Sequence, residues 1–273
     1  MTTTLRPTAP LHRSADGARS RPYQVCVNSR PVGAIELATD PPYGPEVGRI
    51  GSLRIDEADR RRGRGTVAAL AAEEVLRGWR CTRVEARIPA DAKAALRLAT
   101  ALGYSERNRQ LAKSLDGLVP DLPADCRARP MTEEEFPAWL EASKADYLRM
   151  WTGRGLTPEQ ARARSESVHA RLLPEGLGTP DVWITCVLDG DEVAGTVWSA
   201  GVETGRYVHW VQVGEAFRGR GHGRSLMLLA EQEARAAGAE RIALNVCADN
   251  APALRLYESL GYRPTSYSMY KPL

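Results

Sequence analysis

The chain has 273 residues, enough for one large or two ordinary domains with cores of their own. Hydrophobic residues make up 43% and charged residues 26%, a globular balance that excludes a wholly disordered chain. Against 34 acidic residues stand 37 basic ones, and a net charge of +3 is too small to argue for a nucleic-acid partner.

Residues 1–21 are rich in Thr, Arg and Pro without an apolar run. They read as a disordered tail, neither signal peptide nor membrane span. Strands follow at Tyr23–Val27, Val32–Thr39 and Val47–Ile55, the last two separated by a Pro/Gly loop at 40–45. The turn Arg60-Arg61-Arg62-Gly63-Arg64-Gly65 opens a helix over 66–77. A strand at 83–88, a helix at 92–102 and a strand near 110–115 complete this part, and the Pro- and Asp-rich 119–126 reads as a linker. Beyond Arg127–Arg129, the capping-box spellings Thr132-x-x-Glu135 and Thr157-Pro158-x-Gln160 start helices over 133–148 and 158–173. A hairpin pairs 182–188 with 193–199, and strand 207–213 is followed by a glycine turn and a helix; strand 241–246 and helix 252–260 come last.

Cys26, Cys81, Cys126, Cys186 and Cys247 are odd in number and never spaced C-x-x-C, the pattern of reduced thiols in a cytoplasmic protein. His12, His169, His209 and His222 do not pair with them at ligand spacing, so no metal is expected.

Arg218-Gly219-Arg220-Gly221-His222-Gly223-Arg224 lies between a strand and the helical run Ser225-Leu226-Met227. Strand, glycine turn and helix N-terminus in that order make an anion cradle, because glycine turns backbone N–H groups towards one ligand and the helix dipole favours negative charge. The spelling lacks the Gly-Lys-Ser/Thr end of a P-loop and the spacing of a dinucleotide fingerprint.

A shift of 158 residues lays Arg60, Gly63 and Gly65 on Arg218, Gly221 and Gly223, and Leu102-Gly103-Tyr104 on Leu260-Gly261-Tyr262. Between Arg60 and Tyr104 the ungapped overlay has 18 identities in 45 positions, so the chain carries two copies of one α/β unit. The copies differ where chemistry is concerned: Asn250 and Tyr257 of the second fall on Ala92 and Ala99 of the first. The first also lacks any match to the two helices between Thr132 and Leu173.

Arg218-x-x-Gly221-x-Gly223, followed by Asn250-x-x-Ala253-x-x-x-Tyr257-x-x-x-Gly261-Tyr262, resembles the GCN5-related N-acetyltransferase (GNAT) family. The likeness is strong over 127–273 and weaker over 22–118. It implies an α/β protein of two tandem acyl-CoA N-acyltransferase folds, each a mixed, largely antiparallel twisted sheet flanked by helices. It divides the chain into a degenerate structural domain at 22–118, a linker at 119–126 and a catalytic domain at 127–273.

By the same resemblance, Arg218, Gly219, Arg220, Gly221, His222, Gly223 and Arg224 hold the phosphates of acetyl-CoA; from its own place between glycines, the His222 side chain is expected to face solvent. Val211, Gln212, Val213, Asn250 and Ala253 line the pantetheine arm, and the Tyr257 hydroxyl reaches the sulfur. His209, read as sharing a strand face with Val211 and Val213, is either a general base or relay or simply a half-buried strand histidine. Trp139, Asp146, Tyr147, Trp151 and Arg154 fall in the segment that borders the acceptor.

The expected activity is direct transfer of acetyl from acetyl-CoA to a primary amine, with no membrane partner. Three alternatives stand beside it: a tandem mycothiol-synthase-like enzyme acting on a thiol-sugar amine, a non-catalytic coenzyme A-binding regulator or scaffold, and nucleic-acid binding by Arg60–Gly65. The recurrence of those glycines in the cofactor loop argues against the last.

Overall fold

A computed structural model describes the chain apart from residues 1–2, 41–43, 118–119, 125 and 154. Part of the expected 40–45 loop, part of the expected linker, and Arg154 lie outside the described residues. The chain divides into two compact units: residues 1–110 with 247–249 and 264–273, and residues 111–246 with 250–263.

The first unit is built on β1 (Thr3–Pro7), β2 (His12–Arg13), β3 (Arg19–Val27), β4 (Arg30–Asp40), β5 (Gly44–Ile55), α1 (Arg64–Gly78), β6 (Arg83–Pro89), α2 (Lys93–Ala101) and the start of β7 (Ser105–Ser114). The second contains β8 (Arg127–Pro130), α3 (Phe136–Thr152), α4 (Pro158–Leu172), β9 (Val182–Asp189), β10 (Glu192–Val202), β11 (Gly205–Val213), α5 (His222–Ala236), β12 (Arg241–Cys247) and α6 (Ala251–Ser259). The chain ends in β13 (Arg263–Pro272).

Each unit has a mixed sheet. In the first the order is β1-β3-β4-β5-β6-β13, antiparallel except for parallel β5/β6. In the second, β8-β9-β10-β11 is antiparallel and β12 joins β11 in parallel. Strand alternation sends Val187, Val197 and Val208 into a core with α5, and Ile184, Cys186 and Trp198 to the other face with Trp139 and Leu173 of the α3/α4 layer.

The expected tail at 1–21 is corrected: β1 pairs with β3 from Thr3↔Val27 to Pro7↔Tyr23, and His12 and Arg13 pair with Ser20 and Arg19. Leu5 packs on the first core, but one apolar residue among Thr, Arg and Pro gives no readable period. The described part of 119–126 is not loose either, since Leu122 and Cys126 pack against the second core and Gln232 Nε2 donates to Pro120 O at 3.3 Å. All five thiols are free, and no helix among the described residues is long and apolar enough to cross a membrane.

The domain boundary departs most from expectation at the last strand of each copy. β13, the second copy's final strand, pairs with β6 of the first unit from Ser266↔Pro89 to Pro272↔Arg83. The end of β7, the first copy's final strand, lies beside β12 in the second unit. The two strands are thus exchanged between copies.

Side chains record the exchange twice. Lys113 Nζ sits 2.5 Å from Glu231 Oε2 and over the Tyr262 ring, in the second unit. Lys271 Nζ sits 2.8 Å from Glu73 Oε2 and over the Tyr104 ring, in the first. Both carboxylates are almost wholly buried, at 0% and 2% side-chain exposure, so each depends on a lysine from the other copy.

Candidate active site

The site is shaped by one extra residue in β11. Trp210 opposes Trp198 of β10, but the next pair is Val208 with Ser199, so His209 is a β-bulge. A bulge bends its strand. Accordingly β11 pairs with β12 only at Arg206↔Ile242, Tyr207↔Ala243 and Val208↔Leu244, and beyond Val208 the two strands part. From Trp210 to Val213, among the described residues, the strand is paired with β10 on one edge alone, which leaves its other edge facing the opening.

Val213 leads through Gly214 and a single 3-10 turn at Glu215–Phe217 into the glycine turn. Gly219 and Gly221 take φ of 79° and 90°, values that favour glycine, and Gly221 is the N-cap of α5. Gly223 lets α5 come close, since a Cβ there would lie 3.3 Å from Leu256 and 3.8 Å from Val213. The turn, the end of β11 and α6 therefore converge. Among the described residues the amides of Gly219 to Gly223 have no backbone acceptor, so five N–H groups stand at the helix start.

The arginines of the turn do not behave alike. Arg218 is exposed with no hydrogen-bond or ion-pair partner among the described residues. Arg220 is 2.8 Å from Asp189 Oδ2, and Arg224 donates to Ser259 Oγ at 2.6 Å. His222, expected to face solvent, is 15% exposed, edge-on to Phe217 and 3.4 Å from Asp189. Hydrogen bonds from Arg220 and His222 hold the Asp189 carboxyl below the usual range.

On α6, Asn250 is the N-cap, its Oδ1 accepting from Ala253 N at 3.2 Å. Tyr257 is 8% exposed and packs in the same core as Val211, Val213 and Ala253. Burial pushes its hydroxyl up to about 12, so it stays protonated at neutral pH.

His209 does not share the face of Val211 and Val213. The bulge turns it to the α3/α4 side, 4.9 Å from the Trp198 ring and 5.0 Å from Tyr207. The expectation of a shared face failed because it assumed unbroken two-residue alternation, which a bulge interrupts. Burial, helped by the Arg171 and Arg206 charges, lowers its pKa to about 4, and its Nε2 has no hydrogen-bond partner among the described residues. On the same side, Tyr147 of α3 lies 5.3 Å from Trp210, and Gln212 Nε2 donates to Asp146 Oδ2 at 3.1 Å. Trp139 donates to Thr196 Oγ1 at 3.2 Å as a packing residue, and Trp151 stacks under the Arg164 guanidinium.

The low pKa of His209 has a measurable consequence. As pH falls below about 6.5 the unfolded chain protonates this histidine first, so the folded state loses stability until about pH 4. The loss on going from pH 7 to 5 is about 2 kcal/mol. Urea unfolding at the two pH values is expected to show His209→Gln less acid-sensitive than wild type by that amount; equal sensitivity would mean the imidazole is not held neutral.

The profile of the "Acetyltransferase (GNAT) family" matches residues 3–104 and again 136–262. The chain belongs to the GNAT family. An uncharacterized N-acetyltransferase, YycN, of Bacillus subtilis is 30% identical over 53% of this chain and 96% of its own length. A mycothiol acetyltransferase of Beutenbergia cavernae is 28% identical, covering 93% of this chain and 89% of that protein. The crystal structure of a GCN5-related N-acetyltransferase from Sphaerobacter thermophilus shares the fold, with a TM-score of 0.59 and 21% identity over 92% of this chain and 80% of that one. This GNAT protein is accordingly an acyltransferase enzyme of two tandem GNAT folds.

Proposed function

We propose that the second unit transfers the acetyl group of acetyl-CoA to a primary amine at the opening between β11 and β12. The observation that carries this reading is the parting of the two strands at His209, with the N-terminus of α5 against the free end of β11. Five amides without a backbone acceptor and an Arg218 without a partner among the described residues, together with the open space around Gly221, fit a pyrophosphate. Acetyl-CoA supplies the activated acetyl thioester.

The chain's own groups supply the rest. The unpaired edge at Val211–Val213 offers backbone N–H to polarise the acetyl carbonyl, and Asn250, capping α6, borders the pantetheine arm with Ala253. The Tyr257 hydroxyl, kept protonated by burial, gives its proton to the departing sulfur. The amine enters from the side of Tyr147, Asp146 and Gln212. An imidazole with pKa about 4 does not take the proton of an alkylammonium, whose pKa is near ~10, so the amine enters as the neutral fraction set by bulk pH; His209 accepts a hydrogen bond through Nε2, and the proton that the nitrogen sheds after attack passes through water to replace the one Tyr257 gives to sulfur.

Coenzyme A release from acetyl-CoA on addition of a primary-amine panel tests the reading. Wild type is expected to turn over with at least one amine, and Tyr257→Phe to lose about 10²–10⁴-fold in kcat. Binding of acetyl-CoA without release by any amine would leave a coenzyme A-binding scaffold instead, and full turnover by Tyr257→Phe would remove the acid role.

A second reading narrows the acceptor to the amine of a small thiol-sugar, favoured by the 28% identity to a mycothiol acetyltransferase over 93% of this chain. Preference for a thiol-bearing amino sugar over simple alkylamines in the same assay supports it.

A further inference from the structure

The first unit repeats the geometry of the second with different contents. Its sheet has the same bulge, at Gly51 between Leu37↔Ile50 and Glu36↔Ser52. β5 likewise leaves β6 after Ile50, and Gly63 caps α1 with φ of 73°. The parted strands here enclose a cavity of about 390 Å³, walled by β5, β6 and α2.

Four positions of its walls carry smaller side chains than their counterparts in the second copy. At the 158-residue offset, His209, Met227, Leu244 and Tyr257 of the second copy become Gly51, Ala69, Ala86 and Ala99, all lining the cavity. Leu53, Leu98 and Leu102 leave the lining mainly apolar. Such a space has few polar groups to hold ordered water, and a two-carbon acyl group would leave most of it unfilled. At the same offset Tyr257, His209 and Asn250 become Ala99, Gly51 and Ala92, so no polar side chain remains at those positions to move a proton. Leu98 joins the cavity to the Arg60–Gly65 turn, since a Cβ on Gly65 would lie 3.5 Å from it.

We propose that the first unit binds acyl-coenzyme A with a chain longer than acetyl and holds it without transfer, the chain filling the cavity between β5 and β6 and the nucleotide end lying along the Arg60–Gly65 turn. This site is separate from the acetyl-transfer reading of the second unit and does not depend on it.

Calorimetric titration of the full chain with acetyl-CoA, decanoyl-CoA and sodium decanoate tests the proposal. Decanoyl-CoA is expected to fill a site in the first unit that acetyl-CoA fills at least ten-fold more weakly. Ala99→Trp fills the cavity and is expected to weaken that site at least ten-fold. Ala86→Leu restores the second copy's residue with less risk to folding and is expected to act in the same direction. Gly221→Asp, in the other unit, is expected to leave it intact, so failure of the acetyl-CoA site and failure of this one are read separately. Decanoyl-CoA binding that survives both cavity variants, or is lost in Gly221→Asp, would overturn the proposal. So would decanoate binding as tightly as decanoyl-CoA, or no decanoyl-CoA binding at all.

Discussion

Lys113→Met is expected to destabilise the second unit by about 3–5 kcal/mol, because it leaves the fully buried Glu231 carboxylate without its cation. Lys271→Met is expected to do the same to the first unit through Glu73. Removing both charges of a pair is less harmful than removing one, since an apolar side chain of similar volume needs no partner there. The double variant Lys113→Met/Glu231→Leu is therefore expected to recover most of the loss. Double-mutant cycles followed by urea unfolding then identify the strand exchange itself: Lys113 should couple to Glu231 and Lys271 to Glu73. Coupling of Lys113 to Glu73 instead would mean that each copy keeps its own last strand.

That exchange was not legible in the sequence for a specific reason. The offset that relates the copies puts Lys113 on Lys271 and Glu73 on Glu231, so either lysine suits either glutamate and the pattern cannot choose between them. β13 was missed, the helix over 252–260 being read as the last element, although the same offset lays β7 on it residue for residue, from Ser105 on Arg263 to Ser114 on Pro272. Its mixture of Ser, Thr, Tyr and Pro hid it from a search for alternation.

Glycine and capping chemistry read well, since these depend on local backbone geometry. The Gly63 and Gly221 turns end at left-handed caps of α1 and α5, and the Thr157–Gln160 capping box opens α4 where its spelling sets it. At Thr132 the reciprocal bonds with Glu135 form as spelled, but α3 itself starts at Phe136 and runs to Thr152, beyond the expected 133–148. The bulge at His209 had no such local signature. It is fixed by pairing with β10, a long-range contact, and it moves His209 to the α3/α4 side while Tyr257 stays in the core with α5. Asn250 fills its capping role, and no polar side chain takes that place at Ala92.

A matched pair of substitutions tests most directly whether acetyl transfer belongs to the second unit alone, as proposed. Gly63 and Gly221 occupy the same N-cap position with φ of 73° and 90°, and nothing lies within 4 Å of a Cβ built on either. Aspartate tolerates this backbone region better than most residues, so both Gly→Asp changes should leave the chain folded. Each sets a carboxylate where phosphate would lie, which at Gly221 costs about 3 kcal/mol of binding, or about 100-fold. In an amine-dependent coenzyme A release assay, kcat/KM for acetyl-CoA is expected to fall about 100-fold in Gly221→Asp and to stay within a few-fold of wild type in Gly63→Asp. Loss in Gly63→Asp with Gly221→Asp unaffected would contradict the proposal.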